Sequence, residues 1–438
     1  MIMPTVSLIT LGCKLNFAES STIGRQFADR GYTIVEFGEP ADVCVVNTCT
    51  VTERADRECR QTVRRALRAS PEPVVIVTGC YAQLEPEQIA SIDGVDFVLG
   101  SREKLRLFDL LPVLDKPRAP RILVSDIAAG DDFGAAASAD AGGRTRAFLK
   151  VQDGCDYSCS FCTIPRARGV SRSQPVDACV EQARRLAAAG YRELVLTGVN
   201  VGDYGRKDGT SLEALLAALE RVPGIDRIRI SSLEPNLVSD ALLDRVGASS
   251  RLCRHFHIPL QSGSNEILRR MRRRYTATEY RHLLENIARR LPGCGIGVDV
   301  IVGFPGENEE HFDETRSLLQ DLPLTYLHVF TYSERPGTPA AGFAAPVPVR
   351  TRRERNAVLR ILGAKKKEAF HRTLLGRRVS VLCEGSVENG RRFGCTDTYA
   401  RVALAAGETS ENTIVHAEIT GSDGEVCSAR LTGGGRAA

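Results

Sequence analysis

No apolar run in this sequence approaches the ~20 residues that a membrane-spanning helix needs. Its first residues, Met1-Ile2-Met3-Pro4-Thr5, lack the basic stretch, apolar stretch and small-residue cleavage site of a secretory leader. The expectation is a cytoplasmic protein that does not engage a membrane. Strong net charge is absent too: 58 basic and 54 acidic side chains leave a formal +4. An electrostatic partner must then be met by local clusters rather than by the total. Arginine and lysine gather at residues 54–68, 269–274 and 350–367.

Cysteine, by contrast, is plentiful, with fourteen residues. In a large chain of a reducing compartment, clustered thiols point to metal ligation or catalysis rather than to disulfides. At 438 residues the chain exceeds one ordinary core, so two to four domains are expected.

Short β-branched runs alternate with helical stretches from the start: strands at 6–11, 43–47, 74–78 and 95–99, helices at 16–30, 53–69, 85–91 and 102–111. Continuous apolar strands separated by single helices predict a doubly wound parallel α/β domain over residues 1–112. Residues 113–144 turn to Ala, Gly, Asp and Ser and read as a flexible linker. A second alternating series has strands at 148–151, 193–197, 227–231, 256–259, 296–302 and 326–330. Six such units suit either an open sheet or an incomplete barrel over residues 145–348, with the working loops at the carboxyl ends of the strands. A basic helical connector follows at 349–375. Short alternating runs at 379–382, 399–404 and 413–419 then predict a small β-barrel over 376–438.

The strongest chemical signal is Gly154-Cys155-Asp156-Tyr157-Ser158-Cys159-Ser160-Phe161-Cys162, a C-x₃-C-x₂-C loop after the first strand of the second series. Three thiolates this close suit one [4Fe–4S] cluster, which normally takes four protein ligands. One iron is left open to a substrate, as at catalytic metal sites. A structural zinc knuckle would need a fourth ligand, and no His or Cys lies nearby in sequence. The spacing resembles the signature of the radical S-adenosylmethionine superfamily. That resemblance implies that the open iron chelates S-adenosylmethionine and that its reductive cleavage yields a 5′-deoxyadenosyl radical.

Cys13, Cys49 and Cys80 form a second constellation, each just past the carboxyl end of a predicted parallel strand. Parallel strands point those ends to one side, so the three thiols converge on one crevice, with the geometry for a second cluster. Cys44, Cys59, Cys179, Cys253, Cys294, Cys383, Cys395 and Cys427 read as structural.

Gly12-Cys13-Lys14-Leu15-Asn16, Val46-Asn47-Thr48-Cys49-Thr50-Val51, Gly79-Cys80-Tyr81-Ala82-Gln83, the C-x₃-C-x₂-C loop and His257-Ile258-Pro259-Leu260-Gln261-Ser262-Gly263-Ser264 together resemble the methylthiotransferase family. The resemblance covers nearly the whole chain. It implies a partial (β/α)6 radical S-adenosylmethionine barrel, a C-terminal RNA-binding barrel of the TRAM type and two [4Fe–4S] clusters. Two S-adenosylmethionine molecules per turnover serve as methyl donor and radical source, alongside an electron donor and a sulfur source. Stretches at 50–57, 151–156, 229–235 and 271–276 resemble the branch acting on N6-threonylcarbamoyladenosine at position 37 in the tRNA anticodon arm. The branches acting on isopentenyl-adenosine or ribosomal protein S12 resemble the chain less, and a non-catalytic iron–sulfur RNA-binding or redox-sensing protein is the alternative of another class. One departure is Pro165-Arg166, where many relatives have Pro-Tyr.

Further residues at strand exits are candidates for S-adenosylmethionine contacts: Asn200, Glu234, Gln261, Ser262 and Ile301. His257 reads either as a ligand or proton carrier or as a satisfied core histidine. Arg352, Arg353 and Lys365 to Lys367 on the basic helix are the expected phosphate contacts. Residues 376–438 carry seven basic and eight acidic side chains, so the small barrel is expected to position the anticodon arm by shape and selected contacts.

Overall fold

The computed structural model describes residues 3–49, 53–127, 133–138 and 145–432, with the backbone alone at 53–56. Thr50 to Thr52 of the 50–57 stretch, the Ala/Gly-rich residues 128–132 and the end of the expected linker at 139–144 lie outside the described residues.

The first domain is a six-stranded sheet. Its strands are β1 (Thr5–Thr10), β2 (Thr33–Val35), β3 (Val43–Thr48), β4 (Val74–Gly79), β5 (Phe97–Leu99) and β6 (Arg121–Leu123), in the order β2-β1-β3-β4-β5-β6 and all parallel. Every residue of β3 and β4 is buried, because helices cover both faces of the sheet. The helices are α1 (Lys14–Ala28), α2 (Glu53–Ala69), α3 (Cys80–Leu84), α4 (Pro86–Ala90) and α5 (Leu107–Leu110). Strand order reverses between β1 and β3, which opens a crevice at their carboxyl ends.

The structure corrects the linker expected at 113–144. Arg121–Leu123 adds to the sheet edge as β6, Ile127 is buried, and Ala137 bridges Leu149 of the next domain. Three short apolar residues among Pro, Lys and Arg show no helix or strand period, so their pairing is decided by the free sheet edge beside them.

The second domain carries β7 (Arg146–Lys150), then a two-stranded ribbon of β8 (Gln152–Asp153) and β9 (Arg172–Ser173) around α6 (Ile164–Arg168). Parallel strands β10 (Glu193–Thr197), β11 (Arg227–Ile230), β12 (His255–His257), β13 (Gly295–Val302) and β14 (Tyr326–Thr331) follow. Between them run α7 (Val176–Ala188), α8 (Leu212–Leu219), α9 (Asp240–Ala248), α10 (Asn265–Arg270), α11 (Ala277–Arg290) and α12 (Glu309–Asp321). Two three-stranded sheets, β7-β10-β11 and β12-β13-β14, are joined by bridges Ile228 to Leu252 and Ser232 to His257. Arg146 of edge strand β7 and Tyr326 and His328 of edge strand β14 line one cleft, so the six units form an incomplete barrel rather than a flat sheet.

Helix α13 (Val349–Leu374) lies along β14 and covers its edge, Asn356 Nδ2 donating to the Val329 carbonyl at 3.0 Å. Strands β15 (Arg378–Glu388), β16 (Arg391–Thr396), β17 (Arg401–Ala405), β18 (Ile414–Ser422) and β19 (Cys427–Leu431) close into a five-stranded barrel. Its β16–β17 turn plugs the amino-terminal mouth of the large barrel. Arg227 and Arg229, both buried there, donate to the carbonyls of Cys395, Thr396 and Asp397. Tyr399, at φ 73°, stands in that turn rather than in the strand expected at 399–404. Left-handed backbone is costly for a bulky aromatic. Ring contacts with His255 and Tyr326 and the guanidinium of Arg229 hold it there.

Candidate active site: two cysteine triads tied by buried charge

Cys155, Cys159 and Cys162 lie on the loop between β8 and α6, half-buried and unpaired by disulfides. Gly154 makes the loop possible: at φ +72° a Cβ there would sit 2.0 Å from the Val170 carbonyl oxygen. The Cys155 N–H donates to the Gly169 carbonyl at 3.0 Å, closing the loop at its base. The Tyr157 N–H points at the Cys155 sulfur at 3.4 Å, and Arg273 Nη1 at the Cys159 sulfur at 3.1 Å. Arg273 also pairs with Glu234 and donates from Nε to the Tyr275 hydroxyl at 3.0 Å. Burial pushes the Cys155 thiol up to about 11 and Cys162 to about 12, so loading with metal must release protons. The residues fit a cluster with three protein ligands: three thiols, donors aimed at two of their sulfurs, and no disulfide competing for them.

Arg273 was grouped by sequence with the surface arginines of 269–274. The structure instead buries it against Cys159, 114 positions away, and against Glu234, contacts that distinguish it from its neighbours. Arg166, the departure from many relatives, reaches away to the Pro336 carbonyl at 2.8 Å.

Cys13 caps α1, Cys49 follows β3 and Cys80 opens α3, all at the reversal crevice of the first sheet. Gly12 admits the neighbouring thiol, since a Cβ there would lie 2.8 Å from the Cys49 sulfur. Asn16 sets the two loops against each other, its Nδ2 donating at 2.9 Å to the carbonyls of both Leu11 and Thr48. Cys13 and Cys80 are within electrostatic reach of one another and of Arg168. Three thiols on adjacent loops suit a second cluster.

The two triads are tied by buried charge. Arg168, on α6 six positions past Cys162, reaches across the domain boundary to Asn16 Oδ1 at 2.5 Å and Glu19 at 3.0 and 3.1 Å, and binds Asp153 of its own domain at 3.0 Å. Lys104 and Lys150 also bind Glu19, at 2.5 and 3.1 Å, and Lys150 binds Asp153 at 2.6 Å. Burial alone would raise the Glu19 carboxyl, but Arg168, Lys104 and Lys150 outweigh it and hold the group well below the usual range. Asp153 is likewise held low by Lys150 and Arg168 against its burial.

Two separate cavities border the triads. A chamber of about 230 Å³ is lined by Cys13, Lys14, Phe148, Arg146, Arg229 and Tyr399. Lys14 is solvent-exposed where it lines the chamber, and the crowding of protein around it with the neighbouring Arg146 and Arg229 lowers its ammonium to about 8. A second cavity of about 220 Å³ touches Cys162 and brings together Gln261, Ile301, Asp299, Phe161 and Tyr332. Two of the five expected cofactor contacts, Gln261 and Ile301, thus share one wall. Asn200 and Glu234 sit beside each other nearer Arg273, the Glu234 N–H donating to Asn200 Oδ1 at 3.4 Å. Ser262 is turned from the cavity into the core, its hydroxyl 3.3 Å from that of Thr315. His257 is a satisfied histidine, with Nε2 2.9 Å from Asp299 and Nδ1 3.3 Å from the Tyr326 hydroxyl.

The basic helix needs a correction as well. Arg352 is buried against the carbonyls of Val347 and Tyr332, Lys366 caps the carbonyls of Gln320 and Leu322, and Lys367 pairs with Glu425. Helical periodicity turns these positions inward, a fact invisible in a count of charges. Arg353, Arg360 and Lys365 remain exposed. Arg360, Lys367 and Arg401 line a cleft of about 740 Å³ between α13 and the small barrel, which shares Arg146 and Tyr399 with the chamber.

Comparison with known proteins agrees with this arrangement. Residues 5–100 match the model described as "Uncharacterized protein family UPF0004", and residues 149–319 match the radical SAM superfamily. The threonylcarbamoyladenosine tRNA methylthiotransferase MtaB of Bacillus subtilis is 39% identical, over 95% of this chain and 94% of its own. A tRNA-2-methylthio-N(6)-dimethylallyladenosine synthase of Dictyoglomus thermophilum is 34% identical over 92% and 93%. Among solved structures, the radical S-adenosylmethionine methyltransferase TsrM of Kitasatospora setae shares the fold, with a TM-score of 0.55 at 15% identity over 78% of this chain and 74% of that one. With its two cysteine triads and relatives of this kind matched over most of its length, the chain belongs to the radical S-adenosylmethionine methylthiotransferase family, in its MtaB branch.

Proposed function

We propose that this enzyme methylthiolates C2 of N6-threonylcarbamoyladenosine at position 37 of tRNA, giving the 2-methylthio derivative. The observation that carries the reading is the pair of cysteine triads tied together by Arg168, in a chain matched nearly end to end by MtaB relatives. The C2–H of adenine is neither acidic nor a leaving group, so acid–base catalysis has little purchase on it. S-adenosylmethionine at a reduced cluster supplies a carbon radical for such a bond, and a second molecule supplies the methyl group for sulfur.

The chain's own residues do the holding. Cys155, Cys159 and Cys162 ligate the radical cluster, with Arg273 and the Tyr157 N–H bonding their sulfurs. Cys13, Cys49 and Cys80 ligate the second cluster on loops fixed by Asn16. Gln261 and Ile301 line the cofactor cavity beside Cys162, and Asn200 and Glu234 contribute from the Arg273 side. Ser262 acts only by shaping the turn, through its bond to the Ser264 N–H at 3.2 Å. The cleft between α13 and the TRAM-like barrel takes the anticodon arm, with Arg360 and Arg401 toward its phosphates.

Mass spectrometry of tRNA nucleosides from cells with and without the gene tests the reading. Loss of the methylthio-threonylcarbamoyl nucleoside is expected; loss of a methylthio-isopentenyl nucleoside instead assigns the other tRNA branch.

A further inference from the structure

On the purine ring, N6 and C2 flank N1 along one edge. Any group on N6 therefore enters the same chamber as the carbon that reacts. A threonylcarbamoyl group brings a carboxylate into that chamber, whereas a dimethylallyl group brings only hydrocarbon. An anion held in such a chamber needs a cation that is not already committed.

Three cations line the chamber. Arg229 is spent: Nε binds Glu193 at 2.8 Å, and its two terminal nitrogens donate to the carbonyls of Asp397 and Thr396 at 2.9 and 3.0 Å. Arg146 pairs with Glu384 at 3.1 Å and lies 5.7 Å from the centre of the Tyr399 ring. Lys14 has no hydrogen-bond or ion-pair partner among the described residues. Asp299 attracts it from a distance, and the Oδ1 of that carboxylate is held by His257 at 2.9 Å and His328 at 3.1 Å. Lys14 thus lines the chamber beside two guanidinium groups, with no anion in ion-pair contact among the described residues. Its position adds a constraint, because Lys14 follows Cys13 directly and therefore lies at the cluster beside which C2 must react.

We propose that Lys14 receives the carboxylate of the substrate's threonylcarbamoyl group and so selects this nucleoside over neutral N6-substituents. The inference rests on the proposed function and deepens it. A charge-assisted hydrogen bond from the ammonium to the carboxylate is short and directional, and a site built for it rejects an isostere without the charge.

The test uses the cluster-reconstituted full chain and two anticodon stem-loop RNAs. One carries threonylcarbamoyladenosine; the other carries its threoninamide analogue, which has the same shape and no charge. Binding is read by fluorescence anisotropy for the natural chain, Lys14→Met, Lys14→Gln and Lys14→Arg, with iron content determined for each. The natural chain is expected to prefer the acid about ten- to a hundredfold, the loss typical of a hydrogen bond to a charged group. Lys14→Met and Lys14→Gln should bind both RNAs alike, and Lys14→Arg should keep part of the preference. Equal binding of the two RNAs by the natural chain overturns the proposal without recourse to any variant. A preference that survives in an iron-replete Lys14→Gln or Lys14→Met chain overturns it too. Failure of the natural chain to methylthiolate the acid RNA with S-adenosylmethionine and reductant would refute the proposed function instead, a result separate from both binding outcomes.

Discussion

Arg168 donates to both carboxylate oxygens of Glu19, at 3.0 and 3.1 Å, across the boundary between the first and second domains. One arginine thereby joins the helix capped by Cys13 to the helix that follows Cys162. Three buried cations, Arg168, Lys104 and Lys150, face two buried carboxylates, Glu19 and Asp153, and Arg172 stands 3.9 Å from Asp153, so the network carries more positive than negative charge. Arg168 also lies within electrostatic reach of the Cys13 and Cys80 thiols. The domain interface and the charge beside these two thiols are thus set by the same side chain.

Glu19→Gln should destabilise the chain by roughly 3–5 kcal/mol, since it leaves three buried cations facing one carboxylate. Calorimetric melting checks this. The sign in acid follows from linkage. The Glu19 carboxyl is held well below its unfolded value, so its contribution is fully present above the ordinary glutamate range and is lost as pH falls through the lower folded value. The melting temperature of the natural chain should fall steeply below about pH 4, and Glu19→Gln should flatten that limb.

Arg273→Met removes a positive charge and a hydrogen bond from the Cys159 sulfur. Both changes disfavour the more negative reduced cluster, so its midpoint potential should move to lower values. A redox titration followed by electron paramagnetic resonance measures the shift. A potential that stays in place with iron retained would show that the guanidinium serves Glu234 rather than the cluster.

Much of this was legible in the sequence, and the parts that were not share a cause. Both cysteine triads and the parallel sheets follow from local spacing and period, because strand ends and C-x₃-C-x₂-C loops are contiguous features. Arg273, Arg168 and Arg352 look like surface arginines in sequence. Their partners lie 114, 149 and 20 positions away, and only tertiary packing brings them together. The same holds for β6, whose pairing depends on a sheet edge built some twenty residues earlier.

The two triads should separate by substitution. Cys159→Ala is expected to abolish release of 5′-deoxyadenosine and to lower iron by about half, as one of two four-iron clusters is lost. Cys49→Ala should lose a similar share of iron and stop methylthio transfer while some reductive cleavage of S-adenosylmethionine persists. Liquid chromatography of the small-molecule products and iron assay decide both. Methylthio product from the Cys49 variant would remove the second triad from the reaction.

Helix α13 offers a contrast between buried and exposed arginine on one element. Arg352 is bound to the carbonyls of Val347 and Tyr332 at 2.7 and 2.9 Å, and Arg355 to Glu307 at 2.7 Å, so neither is free for a phosphate. Arg353 and Arg360 point outward, and Arg360 borders the large cleft. Replacing Arg353 and Arg360 together by Gln should weaken tRNA binding and reduce the slope of log affinity against log salt by about 1.5, since two phosphate contacts are lost. Melting temperature should hardly move, because exposed side chains contribute little to folding. Arg352→Gln should do the reverse, leaving the salt slope unchanged while lowering the melting temperature, since buried carbonyls lose their donors. Filter binding across a salt series and thermal melts of the same preparations separate the two; an unchanged slope in the double variant would place the tRNA backbone away from this helix.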